Sequence, residues 1–151
     1  MPASGAIRIR PFAPTERPQW NALWRGYLAF YGAVLDETVH AATWSRLNDP
    51  DEPMHALAAE RDGVAVGLVH FLYHRSTWTI GPYCYLQDLF VADAARGLGA
   101  GRALIEAVYE RAERDGASWV HWLTMEDNAA ARALYDRLAD RPGFIQYRRV
   151  F

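Results

Sequence analysis

The sequence predicts a mixed α/β fold, a central and mostly antiparallel twisted sheet flanked by helices in the order β-α-α-β-β-β-α-β-α-β. Short runs of alternating apolar residues are separated by turn signals, and two of them are joined at "RDG" as a hairpin. Two later amphipathic segments each follow a strand-like run, which requires crossover helices packed on the sheet.

In chain order, "AIRIRPF" alternates as a first strand, and "TERPQWNALWRGYLAFYG" follows with Trp20, Trp24, Tyr27 and Tyr31 at helical spacing. That helix stops near Gly32. "DETVHAATWSRLND" reads as a second helix with Asp36 and Glu37 in its first turn, beside the positive end of the dipole, and Pro50 and Pro53 close it. "MHALAAERDGVAVGLVHFLYH" is the hairpin, and "YCYLQDLFV" a fourth strand. "GRALIEAVYERAERDG" is a helix ending at Gly116, "SWVHWLTM" a strand, "NAAARALYDRLAD" a helix and "FIQYRRVF" a last strand.

Composition narrows the classes. A chain of 151 residues suits one domain, residues 1–151, that buries about two thirds of its unfolded surface. It is 51% hydrophobic, yet no apolar run approaches the ~18 residues of a membrane span. The start "MPASGAIRIRPF" lacks a signal-peptide pattern, and Cys84 is the single cysteine, so a soluble, cytoplasmic, disulfide-free protein is expected. Net charge is −2 with both signs interleaved, which argues against nucleic acid as a partner. Any anion site must be local.

The local site is "ARGLGAGRALIEAVYERA", where three glycines and two arginines lead into a helix. Amides at a helix N-terminus point outward without partners, glycines let a ligand approach the backbone, and the dipole favours negative charge. Arg96 and Arg102 flank the loop and can add charge-assisted bonds to phosphate oxygens. A Walker A loop is excluded, because Gly97 to Gly101 is one residue short and Arg102-Ala103 follow it. A dinucleotide fingerprint is disfavoured, since Arg102 stands at the third glycine and the motif follows four strands and two helices. The remaining reading is "RGLGAGR" opening a helix after the strand "LQDLFV".

"YLQDLFVADAARGLGAGRALI" followed by "HWLTMEDNAAARALYDRLADRPGFIQY" resembles the GNAT superfamily of acetyl-CoA-dependent N-acetyltransferases, over nearly the whole chain. Within it the pattern is similar to the spermidine/spermine enzymes and to a yeast-type group acting on histones or amino acids. The resemblance implies a GNAT-like fold and acetyl-CoA as cosubstrate. It implies that Arg96, Gly97, Leu98, Gly99, Ala100, Gly101 and Arg102 grip the pyrophosphate, and that the Leu89, Phe90 and Val91 backbone meets the pantetheine arm in a gap between two splayed strands.

"NAAARALYDRL" can be read independently. Asn128 is a strong helix cap, and Tyr135 lies two turns on, about 10 Å along the axis on the same face, which suits an elongated ligand. An acceptor amine must lose a proton and the departing thiolate must gain one. Tyr135 can donate it, as the resemblance also implies. The polyamine enzymes carry glutamate where this chain has Gln87, which takes no proton. Asp88 is the candidate base, although strand alternation turns it to the face opposite Gln87. Glu126 and Asp127, or a water chain, are the alternatives.

Other residues are read as structural. Cys84 has no histidine and acid arranged with it, and is expected to be a buried small hydrophobe. His70 and His74 share a strand face without a third ligand, so no metal is expected and both read as ordinary sheet histidines. The aromatic stripe Trp20, Trp24, Tyr27, Tyr31 is a packing face; the resemblance, in which the first two helices cover the acceptor side, implies Tyr27, Tyr31 and Trp44, with Gln87, as candidate acceptor contacts. The expected function is acetyl transfer to a primary amine by direct attack. A catalytically weak acyl-CoA-binding module is the alternative. Small amine, polyamine, amino acid and protein lysine all fit as acceptor, and a homodimer is expected.

Overall fold

The computed structural model describes residues 5–151. In chain order the elements are β1 (Ile7–Pro11), α1 (Arg17–Phe30), α2 (Glu37–Leu47), β2 (Met54–Arg61), β3 (Val64–His74), β4 (Tyr83–Val91), α3 (Ala100–Arg114), β5 (Trp119–His121) and α4 (Ala129–Tyr135), with a 3-10 turn over Asp93–Ala95. The five strands form one sheet in the order β1-β2-β3-β4-β5. The first three pairings are antiparallel, and β4 with β5 is parallel.

The "RDG" hairpin forms as expected, because Asp62 (φ 51°) and Gly63 (φ 81°) both adopt the left-handed backbone that a two-residue hairpin turn requires. Each face of the sheet carries its own core. On one, α1 and α2 bury Trp20, Leu23, Trp24 and Leu28 against Ala58 and Leu68. On the other, α3 buries Leu104, Ile105 and Val108 against Val69, Phe71, Cys84 and Leu86. β3 serves both, Leu68 and Val69 pointing to opposite sides as strand alternation dictates.

Gly26 sets how closely α1 approaches β4. A Cβ placed there would lie 2.7 Å from the ring of Phe90. Gly26→Ala gains ~1 kcal/mol of helix propensity but meets an overpacking cost of ~1–3 kcal/mol. A thermal midpoint lowered by several degrees is expected, and a variant melting above the parent would show that the Phe90 ring yields freely.

Three expectations need correction. The strand expected at "SWVHWLTM" is reduced to Trp119–His121, and the helix expected at "NAAARALYDRLAD" keeps only Ala129–Tyr135. The strand expected at "FIQYRRVF" does not form: Phe144, Ile145, Tyr147, Val150 and Phe151 are exposed by three quarters or more. The first has a visible cause. β5 pairs with β4 only at Tyr83, Cys84 and Tyr85, and the pairing stops where β4 bulges. With so short an edge strand, the sheet offers the last segment little template in its own chain.

Candidate active site

The bulge organises the site. In the β3–β4 ladder Phe71 faces Leu86 and His70 faces Asp88, so Gln87 is an extra residue with no partner. An inserted residue bends the strand and inverts the alternation beyond it. Leu86 therefore points to the α3 core, whereas Asp88 points to the α1 face, where it meets His70. Asp88 is buried and Gln87 exposed, so the carboxylate reaches the side that unbroken alternation denies it. Past Tyr85, β4 has no β5 residue paired with it among the described residues, which leaves a gap in the ladder alongside Leu86–Val91.

At the end of β4 the chain turns through the 3-10 segment into the glycine loop. Gly97 (φ 78°) and Gly99 (φ 83°) are left-handed, and a Cβ at either would meet nothing within 4 Å. Gly99 is the N-cap of α3 and supplies no side-chain cap, so the first amides of the helix stay available to an outside acceptor. Arg96 engages Asp93 through Nε at 3.2 Å, and Arg102 engages Glu106 through Nε at 2.9 Å. Both guanidinium groups are half exposed beside the loop. An uncapped helix start, open glycines, two arginines and an adjoining gap fit a pyrophosphate with a linear arm.

α4 follows β5 in the chain. Asn128 caps it, its Oδ1 accepting from the Ala131 amide at 3.4 Å, which leaves the side-chain NH₂ as its donor group. Tyr135 packs edge-on against Trp122 with ring centroids 5.4 Å apart. Burial, and secondarily the nearby Tyr31 phenol, raise its pKa above the usual tyrosine value. Tyr135 thus stays protonated and able to donate at neutral pH.

Aromatic residues of α1 wall the Asp88 side. Trp24 stacks on Tyr27 at 5.1 Å, and Tyr27 packs on Tyr31 at 5.0 Å. Burial first and the Asp88 charge second raise the pKa of Tyr27, Tyr31 and Tyr85, Tyr27 most strongly. Asp88 is therefore a lone carboxylate among neutral phenols. Trp44 packs on Phe12 at 6.4 Å and on Trp20 at 5.1 Å, within the α1–α2 core. Its ring is partly buried, in the same cluster as Tyr27, and its contact with the acceptor stays a proposal.

Cys84 is buried in the α3 core, where burial pushes its thiol up to about 12, so it is no nucleophile at neutral pH. No group of three metal-ligating side chains occurs among the described residues. His74 donates from Nδ1 to the Arg75 carbonyl at 2.8 Å and is an ordinary sheet histidine. His70 is not. It is buried between Trp20 and Asp88 and bonded to both. Its sequence signal, a histidine opposite an aspartate in adjacent strands, appears only once the bulged register is known.

Residues 19–139 match the model of the Acetyltransferase (GNAT) family. The chain is 35% identical to the D-amino-acid N-acetyltransferase of Saccharomyces cerevisiae over 145 residues, covering 95% of this chain and 90% of that protein. It is 28% identical to the thialysine N-epsilon-acetyltransferase of Caenorhabditis elegans over 109 residues, covering 72% of this chain and 68% of that one. Among solved structures, the ribosomal-protein-alanine N-acetyltransferase of Brucella melitensis superposes with a TM-score of 0.82 at 21% identity, covering 97% of this chain and all of that one.

Proposed function

Because the chain belongs to the GNAT acetyltransferase family and is an acetyl-CoA-dependent N-acetyltransferase acting on amines, we propose that its acceptor is a small amino acid or related primary amine, deprotonated by Asp88. One observation carries this reading: the bulge turns a buried carboxylate toward Tyr27 and Tyr31, beside the stretch of β4 that β5 leaves unpaired. An ammonium gains there both a counter-charge and aromatic faces. The relatives named above act on D-amino acids and on thialysine, amines of the same class. An acceptor screen read by product mass tests it, with amino acids the expected substrates and turnover confined to polyamines or peptides the contrary result.

In the proposed mechanism the glycine loop, with Arg96, Arg102 and the Gly97 to Gly101 backbone, holds the pyrophosphate. The Leu89, Phe90 and Val91 backbone and the Asn128 side chain align the pantetheine arm along the gap, and Gln87 stands exposed at its upper rim. Asp88 takes a proton from the ammonium, held against Tyr27 and Tyr31. The freed nitrogen lone pair forms the C–N bond, the nitrogen gives up its second proton to solvent as the adduct collapses, the C–S bond breaks with its electrons passing to sulfur, and the Tyr135 phenol protonates that sulfur. Solvent then removes the proton from Asp88 and restores one to Tyr135.

Two substitutions test the loop. Arg96→Ala removes a charged hydrogen bond of ~1.5–3 kcal/mol, equivalent to ~10–100-fold in coenzyme affinity. Gly99→Val places a branched side chain at positive φ on the face a phosphate must approach, and is expected to weaken binding further. Calorimetric titration with acetyl-CoA checks both, and unchanged affinity in the pair would overturn the assignment.

The homodimer is part of the same proposal. Segment 144–151 exposes Phe144, Ile145, Tyr147, Val150 and Phe151 to water, while the outer edge of β5 has no strand partner among the described residues. Beside β5 lies a cavity of about 210 Å³ lined by Tyr109, Ala112, Trp119 and Val120 among others. Tyr109 anchors the chain just before the segment, its hydroxyl donating to the Leu138 carbonyl at 2.8 Å. The segment of one protomer pairs along β5 of its partner, removing both an exposed apolar strip and an open edge. Tyr147→Asp with Val150→Asp is expected to halve the mass measured by light scattering; a parent already monomeric would refute the exchange. No described helix is long and apolar enough to cross a membrane, and the proposed location is the cytoplasm, where acetyl-CoA is made available.

A further inference from the structure

We propose that His70 is a positioning residue for the acceptor base: locked in one tautomer by Trp20, it donates to Asp88 and fixes the orientation of that carboxylate toward the amine. The inference rests on the reading of Asp88 as base and names a residue that reading lacks.

The donor inventory decides the protonation pattern. An indole N–H only donates, and Trp20 Nε1 lies 2.9 Å from His70 Nε2, so that nitrogen presents its lone pair. The ring hydrogen of a neutral imidazole then resides on Nδ1, which lies 3.0 Å from Asp88 Oδ2 and donates to it. Oδ2 is thereby engaged, and the Tyr27 hydroxyl is a second donor to the carboxylate, a bond that an acceptor ammonium would share or displace. Burial is nearly complete along the line, with Trp20 at 0%, His70 at 5% and Asp88 at 8% exposure. In such surroundings a hydrogen bond to a charged oxygen is strong, and its loss raises the affinity of the carboxylate for a proton.

The same geometry excludes imidazolium. Protonation at Nε2 would set an N–H against the Trp20 N–H and strip a buried donor of its partner. Against the His70 ring stand Trp20 and Trp24 from α1, Ala56 from β2 and Asp88 from β4, so Asp88 carries the only charge among them. Around Asp88 the further titratable groups are Tyr27 and Tyr31 from α1 and Tyr85 from β4, all held neutral by burial. His70 thus works as a fixed donor. It does not relay protons.

The test compares the full-length parent with His70→Leu and His70→Asn, using the acidic limb of the pH profile of kcat/KM for the amine. Leucine cannot donate to Asp88, and asparagine places an amide N–H close to the position of Nδ1. For His70→Leu the limb is expected to move to higher pH by one unit or more, which is a tenfold or greater loss on the limb that shrinks as pH rises above it, with an unchanged Kd for acetyl-CoA. His70→Asn is expected to bring the limb back toward the parent. Imidazole nitrogen shifts of the labelled parent should show the Nδ1–H tautomer, with no titration across the limb. A folded His70→Leu with an unmoved limb, or a His70 that titrates with it, overturns the inference. Should His70→Leu fail to fold, His70→Asn and the nitrogen shifts still decide. Asp88→Asn separates the two readings: full activity in that variant removes the base itself, whereas an inactive Asp88→Asn beside an unperturbed His70→Leu removes only the role of His70.

Discussion

Tyr135→Phe is expected to lower kcat by ~10²–10⁴ while the dissociation constant of acetyl-CoA stays near its parent value. The ring and its edge-on contact with Trp122 survive the substitution, so packing and the α4 fold should persist. What is lost is the hydroxyl proposed to protonate the leaving sulfur. Burial and the neighbouring Tyr31 hold the Tyr135 proton above the normal tyrosine range, so the donor form is full throughout neutral pH. The sign for the basic limb follows: the parent should not lose activity through this group until pH exceeds ~10, and the Phe variant should show no such loss at all. Rapid-quench measurement of the chemical step checks this, and a Phe variant as fast as the parent in that step would remove Tyr135 from the chemistry.

Legibility in the sequence varied with the range of the physics involved. The "RDG" turn and the glycine start of α3 could be read directly, because positive φ at Gly63, Gly97 and Gly99 is a local property of the residue type. The helix stripe Trp20, Trp24, Tyr27 was readable from its period, but which of its rings border the site was not. Trp44, on the other helix, shares their chemistry and packs on Phe12 and Trp20, contacts that no single-helix period encodes. Asp88 illustrates the limit most clearly. Alternation correctly separates it from Gln87, but one inserted residue in β4 exchanges the faces, and an insertion is visible only against the partner strand. Every residue that depends on that register, His70 above all, was hidden for the same reason. The length of β5 and the unpaired segment 144–151 follow from the bulge as well, because the parallel ladder stops at its edge.

Asp88→Asn has an expected effect whose size reads the acceptor. Asparagine keeps the shape and can still accept the His70 Nδ1–H, so the fold and the buried line from Trp20 should remain. It cannot take a proton, and the reaction then depends on amine already free in solution. A lysine-like amine of pKa ~10.4 is free to only ~1 part in 10³ at pH 7.4, so kcat/KM for such an acceptor should fall by about that factor. An N-terminal α-amine of pKa ~7.7–8.0 is free to roughly a quarter at the same pH, so the loss for it should be a few-fold from this cause, any further loss coming from the missing counter-charge. In either case the gap between parent and variant should close as pH rises toward the amine pKa, because the free amine then needs no base. Parallel pH profiles of kcat/KM for parent and Asp88→Asn, taken with one acceptor of each kind, measure this convergence. Profiles that stay a constant factor apart up to pH 10 would show that Asp88 binds the ammonium without deprotonating it, and the proton would have to leave through water instead.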